Sequence, residues 1–280
     1  TRPRGGYDHT RGLVRDGPGS VDQFFHEYRH VWSQPTPRGR LLKHTAAMGI
    51  REQVVHDEVE PCPYIEGQEA RMPLRWQLRT LSPEEVDESL EQGDRRVGRM
   101  LYRTRCPRCT ACEPIRIPVN DFELSRSQRR VWRKNQDVRI EFGRARFSQE
   151  RLDLYNRHKM ERGLSRNERI MSQKGYEGWF LQSCCQTIEM RYRLDGRLIG
   201  VGIIDLGKQD SSSVYFYFDP DESRRSLGVF SVLVETTWLR GRGGRYHYLG
   251  LYVGDCRHLS YKADYHPHQR RIDEVWQDVR

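Results

Sequence analysis

Residues 188–206 read IEMRYRLDGRLIGVGIIDL, two apolar-rich segments that are separated by Asp195-Gly196. Asp-Gly between such segments is a strong signal for a two-residue hairpin turn. The segment before the turn, from Ile188 to Leu194, alternates between apolar and polar residues, and Leu198 to Leu206 returns as a second strand. The stretch therefore predicts an antiparallel hairpin.

The residues that follow extend this hairpin into an α/β pattern. Further strands are predicted over Val214–Phe218 and Tyr246–Val253, and between them the turn Arg224–Gly228 opens a helix that continues to about Gly241. Hairpin, strand, loop, helix and strand follow one another in the order of an acetyltransferase-like (GNAT-type) α/β core. We therefore predict a GNAT-like α/β domain over residues 141–280.

A cysteine cluster lies upstream in the run Cys106-Pro-Arg-Cys109-Thr-Ala-Cys112. Gaps of two residues let sulfurs from one tight turn converge on a single ion. With Cys62 as the fourth ligand, we predict thiolate coordination of Zn²⁺ or of an iron-sulfur cluster, between which the spacing does not decide; the alternative is reduced cysteines that pack a turn. The remaining cysteines are predicted to be buried apolar residues: Cys184, Cys185 and Cys256.

A short basic helix follows the cysteines, because Ser125 and Gln128 form a capping box at its start. Four arginines share one side of it: Arg126, Arg129, Arg130 and Arg133. Guanidinium groups match phosphate oxygens, and Trp132 and Asn135 lie nearby, so the helix predicts contact with an RNA backbone. The alternative is a solvated charged face.

The organisation predicted from these patterns is α+β, with an N-terminal cysteine-containing subdomain coupled to the GNAT-like domain. Residues 51–140 form the cysteine-bearing domain with the basic helix, and a capping box at Ser82 and Glu85 predicts another helix over 83–92. Residues 1–50 are rich in Gly, Pro, Arg and His and are predicted to be a flexible extension.

Composition favours a basic, reduced, cytoplasmic protein. Across 280 residues, 48 Lys and Arg against 39 Asp and Glu give a net charge of +9, which attracts polyanions such as RNA. Seven cysteines, three of them bunched, do not fit the paired framework of a secreted protein. No apolar run approaches the roughly 20 residues that span a bilayer, so no membrane partner is expected.

Several strings together resemble the arginyl-tRNA-protein transferase family, including its bacterial branch, the aspartate/glutamate leucyltransferases. The first-half strings are Cys62-Pro-Tyr-Ile65 with Arg71, Gly93-Asp-Arg-Arg-Val-Gly98 with Leu101-Tyr102, Cys106 to Cys112 with Pro114 and Arg116, and Ser125 to Arg130. The second-half strings are Tyr215 to Glu222, Arg224 to Gly228, Tyr248-Leu-Gly250 and Tyr261-Lys262.

The resemblance implies transfer of an aminoacyl group from charged tRNA to the α-amine of a protein that begins with Asp or Glu, a step of the N-degron pathway. Whether the donor is leucyl-tRNA or arginyl-tRNA is left open. Two alternatives remain from the residues alone. One is a non-enzymatic metal-knuckle RNA-binding protein. The other is an acetyl-CoA-dependent GNAT acetyltransferase, although no acetyl-CoA is expected, because Arg225-Ser-Leu-Gly-Val-Phe230 replaces a glycine-rich loop.

Two groups of residues are candidates for the chemistry. A helix N-terminus flanked by arginines suits the tRNA acceptor end, and the candidates there are Arg224, Arg225, Ser226 and Gly228, an ordinary helix cap being the alternative. Tyr261 and Lys262 are catalytic candidates, as a proton-transfer group and as a cation for the acceptor carboxylate or the oxyanion. Asp219 and Glu222 are expected to orient the amine or to cap the loop.

Overall fold

The computed structural model describes residues 51–162 and 170–279, in which the predicted strands and helices occur in the predicted order. The predicted N-terminal extension, residues 1–50, lies outside the described residues. In the described ranges, no helix is both long enough and apolar enough to cross a bilayer.

The chain contributes strands along its whole described length. They are β1 (Glu52–His56), β2 (Val59–Pro61), β3 (Glu69–Arg71), β4 (Leu74–Gln77), β5 (Arg95–Val97), β6 (Met100–Tyr102), β7 (Glu113–Pro118), β8 (Arg139–Arg144), β9 (Gln186–Leu194), β10 (Arg197–Leu206), β11 (Ser211–Phe218), β12 (Tyr246–Tyr252), β13 (His268–Ile272) and β14 (Val275–Val279).

Helices alternate with these strands. The α-helices are α1 (Pro83–Glu91), α2 (Arg126–Lys134), α3 (Gln149–Glu161), α4 (Gln173–Tyr176), α5 (Leu227–Gly241) and α6 (Arg257–Ser260). A π-helical turn at Glu177–Leu181 continues α4, and 3-10 turns lie at Pro220–Arg225 and Tyr261–Asp264.

The largest sheet has eight strands in the order β14-β13-β7-β12-β11-β10-β9-β8. Neighbours pair antiparallel except β11 and β12, which run parallel because α5 carries the chain back between them. β7 comes from the predicted cysteine-bearing domain, yet it pairs with β12 in the middle of this sheet. The domain boundary predicted near residue 140 therefore runs through one continuous sheet.

Local signals in the sequence match the observed turns and caps. Asp195 and Gly196 both have positive φ, 50° and 82°, as a two-residue hairpin turn requires. The predicted capping boxes are present at the starts of α1 and α2. These matches confirm the predicted hairpin and both predicted helices.

Helices cover the two faces of the large sheet. Val201 and Ile203 of β10 pack in an apolar cluster with Tyr155 of α3. Gly202, between them, faces the opposite side, where a Cβ atom would lie 3.2 Å from Glu235 of α5. Because neighbouring side chains of a strand point to opposite faces, α3 and α5 lie on opposite sides of the sheet.

The cysteine-bearing part carries two small sheets. One has four strands in the order β1-β4-β6-β5, and the other pairs β2 with β3. Cys62 directly follows β2, and the run from Cys106 to Cys112 connects β6 to β7. Along the chain, Cys62 therefore lies between the two strands of one small sheet, and the other three cysteines lie between the small sheets and the large one.

Candidate active site

A cleft of about 1030 Å³ opens where the parallel strands β11 and β12 separate. The two strands pair over only two residues of β11, Ser211 and Ser212, and both strands then contribute side chains to the cleft wall. Beyond the paired residues, backbone groups that would otherwise bond to a neighbouring strand must find other partners. The separation thus exposes a polar floor inside the large sheet.

Arg95 of β5 lies in this gap. Its Nη1 donates to Ser212 Oγ at 2.8 Å, and its Nη2 donates to the Ser213 carbonyl oxygen at 2.8 Å. Gly250 of β12, with φ +93°, has no side chain to exclude the guanidinium, since a Cβ atom there would lie 2.8 Å from Arg95 Cζ. Arg95 therefore replaces part of the missing strand pairing and fixes a positive charge at the cleft floor.

Tyr261 and Lys262 line the same cleft. Lys262 Nζ donates to the Leu251 carbonyl oxygen at 2.8 Å, another group that strand separation leaves unpaired. Burial lowers the pKa of Lys262 to about 7, and the positive charge of Arg95 also lowers it. Tyr261 is 42% exposed, yet burial of its phenol raises its pKa. Their catalytic roles stay predictions.

The loop before α5 contributes its small residues to the cleft. Ser226 and Gly228 line it, and a Cβ atom added at Gly228 would meet nothing within 4 Å. Ser226 adopts a left-handed conformation, with φ 55°, at the junction between the 3-10 turn and α5. Arg224 is exposed and is not among the residues that line the cleft. Contact of these three residues with a tRNA acceptor end stays a prediction.

Arg225, a predicted tRNA contact, is instead engaged within the protein. Its Nη1 and Nη2 donate to Asp137 at 2.8 and 2.9 Å, and its Nε donates to Glu222 at 2.9 Å. These bonds fasten the loop to the segment between α2 and β8. A tRNA contact through this guanidinium would require breaking them.

Asp219, a predicted catalytic residue, is outside the described cleft lining. It is 2% exposed, its carboxylate pairs with Arg157 and Arg197, and it accepts from the backbone N–H of Asp221. Glu222 also accepts from Arg197, at 2.6 Å. Both carboxylates therefore stabilise the loop, which is the alternative to orienting the amine that the sequence left open.

The four arginines of α2 lie together in one shallow surface depression, as predicted. All four are exposed, and none forms an ion pair with another described residue. Trp132 and Asn135, which the sequence places near these arginines, are buried. Trp132 packs edge-on against Phe230 of α5 at 5.7 Å, and Asn135 Nδ2 donates to the Arg225 carbonyl oxygen at 2.9 Å. Both residues anchor α2 beside the cleft rim.

Replacing Arg129 with alanine should weaken tRNA binding and reduce its salt dependence. If the protein neutralises about five tRNA phosphates, the logarithm of the wild-type tRNA affinity falls with the logarithm of the salt concentration at a slope of about −3.5 to −4.5. Loss of one phosphate contact should reduce the slope magnitude by about 1. Titration of tRNA binding at several salt concentrations measures this slope. Arg79→Ala is the control, because Arg79 is exposed but paired with Glu85. Equal slopes for both variants would contradict an RNA role for the helix.

The four predicted metal ligands are half-buried and lack disulfide bonds: Cys62, Cys106, Cys109 and Cys112. Cys62 Sγ accepts from the backbone N–H groups of Tyr64 and Ile65 at 3.5 and 3.4 Å. Burial raises the pKa of Cys112 to about 12, and the charges of the other three ligands and of Cys256 raise it as well. A bound cation would relieve this repulsion, so the donor chemistry fits a thiophilic metal.

The arrangement of these thiols is not that of a formed metal site. Over residues 51–162 and 170–279, no group of three or more His, Cys, Asp or Glu side chains is arranged to hold an ion. Zinc or cluster binding therefore stays a prediction. Among the cysteines predicted to be buried, only Cys184 is, whereas Cys185 and Cys256 are half-buried.

Several residues of the cleft were not singled out from the sequence as site residues. Besides Arg95, they include Ser213, His158 and the half-exposed Trp179. His158 Nδ1 lies 2.9 Å from the Phe218 carbonyl oxygen, and burial lowers the pKa of His158 to about 4. Their positions depend on the separation of β11 and β12, which no local sequence pattern predicts.

Comparison with known proteins identifies the family. The model of "Arginine-tRNA-protein transferase, N terminus" matches residues 60–130, and that of "Arginine-tRNA-protein transferase, C terminus" matches residues 150–272. An aspartate/glutamate leucyltransferase of Hahella chejuensis is 34% identical over 184 residues, which cover 66% of this chain and 79% of that protein. One of Acinetobacter baumannii (strain ATCC 17978) is 34% identical over 216 residues, covering 77% and 80%.

A solved structure gives a weaker likeness. The GCN5-related glucosamine N-acetyltransferase region of a fungal multi-domain GH3 β-N-acetylglucosaminidase is 13% identical, with a TM-score of 0.34, and covers 60% of this chain and 20% of that one. The two family models and the sequence relatives span both halves of the described structure, so the chain belongs to the arginine-tRNA-protein transferase family and is an aminoacyl-tRNA-protein transferase.

Proposed function

We propose that this transferase moves leucine from charged tRNA to the α-amine of proteins that begin with Asp or Glu. The observation that carries the proposal is the composition of the cleft lining. Its described charged residues are all basic: Arg95, Arg96, Arg162, Arg257 and Lys262, of which Arg96 is buried against Asp205. No described Asp or Glu lines the cleft. An arginyl donor would need such a carboxylate to hold its guanidinium, whereas a leucyl side chain needs only apolar surface.

Apolar surface is available beside these cations. The cleft is lined by aromatic and aliphatic side chains of β11, β12 and the π-helical turn: Trp179, Phe180, Val214, Tyr215, Phe216, Phe218, Leu249 and Leu251. The basic groups, Arg95 and Lys262 foremost, suit an acidic first residue of the acceptor. The relatives are named aspartate/glutamate leucyltransferases, which agrees with both the leucyl donor and the acidic acceptor of this proposal.

The reaction does not require a nucleophilic side chain of the protein. The donor ester is already activated, so holding an amine in line with the ester carbonyl can supply roughly 7 to 11 kcal/mol of the barrier. The α-amine has a pKa of about 7.7 to 8.0, and roughly a tenth of it is neutral at pH 7. The site must therefore bind the acceptor carboxylate, stabilise the tetrahedral oxyanion and manage protons.

We also propose that the core is GNAT-like and that the cysteine-bearing part is coupled to it. Support comes from the order β9, β10, β11, α5 and β12, and from the cleft between β11 and β12. β5 reaches that cleft through Arg95, so the N-terminal part contributes directly to the floor. In this arrangement the acceptor end of the tRNA would enter past Ser226 and the arginines of α2.

A panel of donors and acceptors tests the proposed specificity. The purified protein is incubated with labelled Leu-tRNA or Arg-tRNA and with peptides that differ only in a first residue of Asp, Glu or Ala. We expect label from Leu-tRNA on the Asp and Glu peptides, at least about tenfold faster than on the Ala peptide or from Arg-tRNA, a difference of about 1.4 kcal/mol. Preferential use of Arg-tRNA would overturn the leucyl assignment, and equal use of the Ala peptide would overturn the acidic acceptor.

A further inference from the structure

A buried polar cluster lies directly behind the cleft floor. Glu235 of α5 is 2% exposed and His247 of β12 is fully buried. Ser213, a residue of the cleft lining, donates through Oγ to Glu235 Oε2, and His247 Nε2 lies 3.0 Å from the same oxygen. His247 Nε2 is also 3.1 Å from Ser213 Oγ, and Nδ1 is 2.8 Å from Ser211 Oγ. A buried carboxylate is costly, so a cluster of this kind calls for an explanation.

One arrangement of hydrogens satisfies three of these four contacts, all but the approach of His247 Nε2 to Ser213 Oγ. His247 donates through Nε2–H to Glu235, and Ser211 donates to Nδ1, while Ser213 donates its own hydroxyl proton to Glu235. Ser213 Oγ then keeps a lone pair for a donor in the cleft. The geometry differs from that of a nucleophilic triad, because the serine and the carboxylate meet the same ring nitrogen instead of opposite ones.

A β-bulge aims Ser213 at this cluster. The register between β10 and β11 shifts between Ile203 and Ile204, opposite Tyr215 and Ser213. In a regular strand Ser213 and Tyr215 would share a face. Instead Tyr215 packs against Tyr155 of α3, with ring centroids 5.8 Å apart, while Ser213 bonds to α5 on the other side. Bulges commonly re-aim a side chain beside an active site.

We propose that Ser213 takes a proton from the acceptor's α-ammonium group and passes it to Glu235. In this relay, Ser213 contacts the substrate, and Glu235 and His247 are positioning residues that act through it. The inference rests on the α-amine acceptor of the proposed function and assigns the group that makes this amine nucleophilic.

Atoms and protons balance in this step. The ammonium nitrogen gives one proton to Ser213 Oγ as the serine hydroxyl proton moves to Glu235 Oε2, which leaves a neutral amine. The amine lone pair forms the N–C bond to the ester carbonyl, the bond from that carbon to the ribose oxygen breaks, and the ribose oxygen takes the second proton that the nitrogen loses. Amide, ribose hydroxyl and one proton on Glu235 result, and that proton passes to water after the product leaves.

The surrounding charges explain what the carboxylate of Glu235 contributes to the cleft floor. Arg95 holds the backbone of Ser213, and Lys262 lies within range of the Arg95 charge, so the floor that binds an acidic acceptor repels its ammonium group. A buried carboxylate reached through Ser213 supplies the opposite charge at that point. It attracts the ammonium group and accepts its proton.

Titratable and polar groups face Glu235 from each element packed around it. His247 comes from β12 and Ser213 from β11. The phenol of Tyr192 comes from β9, and those of Tyr261 and Tyr265 come from the last 3-10 turn and the residue that follows it. Burial is the main cause that raises the pKa of each phenol, and the negative charge of Glu235 raises it further. These phenols stay protonated at neutral pH, so the carboxylate is the acceptor within the cluster.

The test compares the pH dependence of transfer in the full chain for wild type, Glu235→Gln and Ser213→Ala. At pH 7 and saturating charged tRNA, Glu235→Gln should lower kcat by about tenfold with little change in the acceptor KM, because only about a tenth of the amine is neutral without the relay. The deficit should shrink as pH rises past the amine pKa, because the amine then arrives neutral. Ser213→Thr, which keeps a hydroxyl, should retain far more activity than Ser213→Ala.

A second acceptor separates proton transfer from structural damage. A peptide with an aminooxy group in place of its α-amine carries a nitrogen that is unprotonated at pH 7, so Glu235→Gln should use it nearly as well as wild type does. A loss that is equal for both acceptors and at every pH would overturn the relay, as would a leucyl ester trapped on Ser213 after mixing with Leu-tRNA alone. If wild type itself transferred to no amine, the proposed function would fail instead.

Discussion

Lys262→Met should abolish transfer while leaving tRNA affinity nearly unchanged. The ammonium group lies at the cleft floor, 2.8 Å from the Leu251 carbonyl oxygen, and methionine fills a similar volume without charge or donor. Loss of one group that stabilises charge in the transition state typically lowers the rate by about 10²- to 10³-fold. Single-turnover transfer and a tRNA binding titration on the same preparation measure the two quantities.

The kinetic pattern tells which role Lys262 has. If it pairs with the acceptor carboxylate, KM for Asp and Glu peptides rises and their advantage over an Ala peptide disappears; if it stabilises the oxyanion, kcat falls alike for all acceptors. Lys208→Met is the matched control, since Lys208 is exposed and paired with Glu84. Turnover of Lys262→Met at the wild-type rate would remove Lys262 from the site.

The same variant should be more stable than wild type at neutral and acidic pH. Burial lowers the pKa of Lys262 from 10.5 to about 7, so between these values the unfolded chain holds a proton that the folded chain does not. Wild-type stability therefore rises with pH across this interval, and the cost of the buried amine is complete below about pH 7. Thermal unfolding curves of the two proteins should converge as pH approaches 10.5.

Local chemistry made much of the fold predictable. The hairpin turn at Asp195-Gly196 and the capping boxes at Ser82 and Ser125 depend on residues within a few positions of one another, and each appears where it was predicted. The turn between β13 and β14 gave no such signal. Asp273 and Glu274 occupy it with φ of 47° and 64°, a conformation that ordinarily favours Gly or Asn.

The site was predictable only where one short segment supplies it. The arginines of α2 follow helical spacing, and Tyr261-Lys262 was found by its place after the last predicted strand. Ser213, Glu235 and His247 are 12 or more residues apart and meet only because β11 bulges and pairs parallel with β12. Glu235 is the one carboxylate of α5 and is buried, and a buried carboxylate is a hint of function that periodicity alone does not reveal.

Arg96→Met should cause the largest loss of stability that we predict for a single substitution. Arg96 Nε donates to Asp205 Oδ2 at 2.5 Å, and the side chains are 2% and 6% exposed. Removing one partner of a buried pair leaves an uncompensated charge and costs about 3–5 kcal/mol. At about 2–4 °C per kcal/mol for a chain of this size, the unfolding midpoint should fall by about 6–20 °C.

The double variant Arg96→Met with Asp205→Asn gives the decisive comparison. The second substitution would remove the stranded charge, and the amide oxygen could still accept from Thr187, which bonds to Asp205 Oδ1 at 2.6 Å, so much of the lost stability should return. Arg79→Ala, at an exposed pair, should cost at most about 1 kcal/mol. Because Arg96 joins β5 to β10, the single variant should also displace Arg95 from Ser212 and Ser213 and lower transfer in the fraction that stays folded. If Arg96→Met unfolded no earlier than Arg79→Ala, the two sheets would be held together by packing alone, and Arg95 would not depend on its neighbour for its place in the cleft.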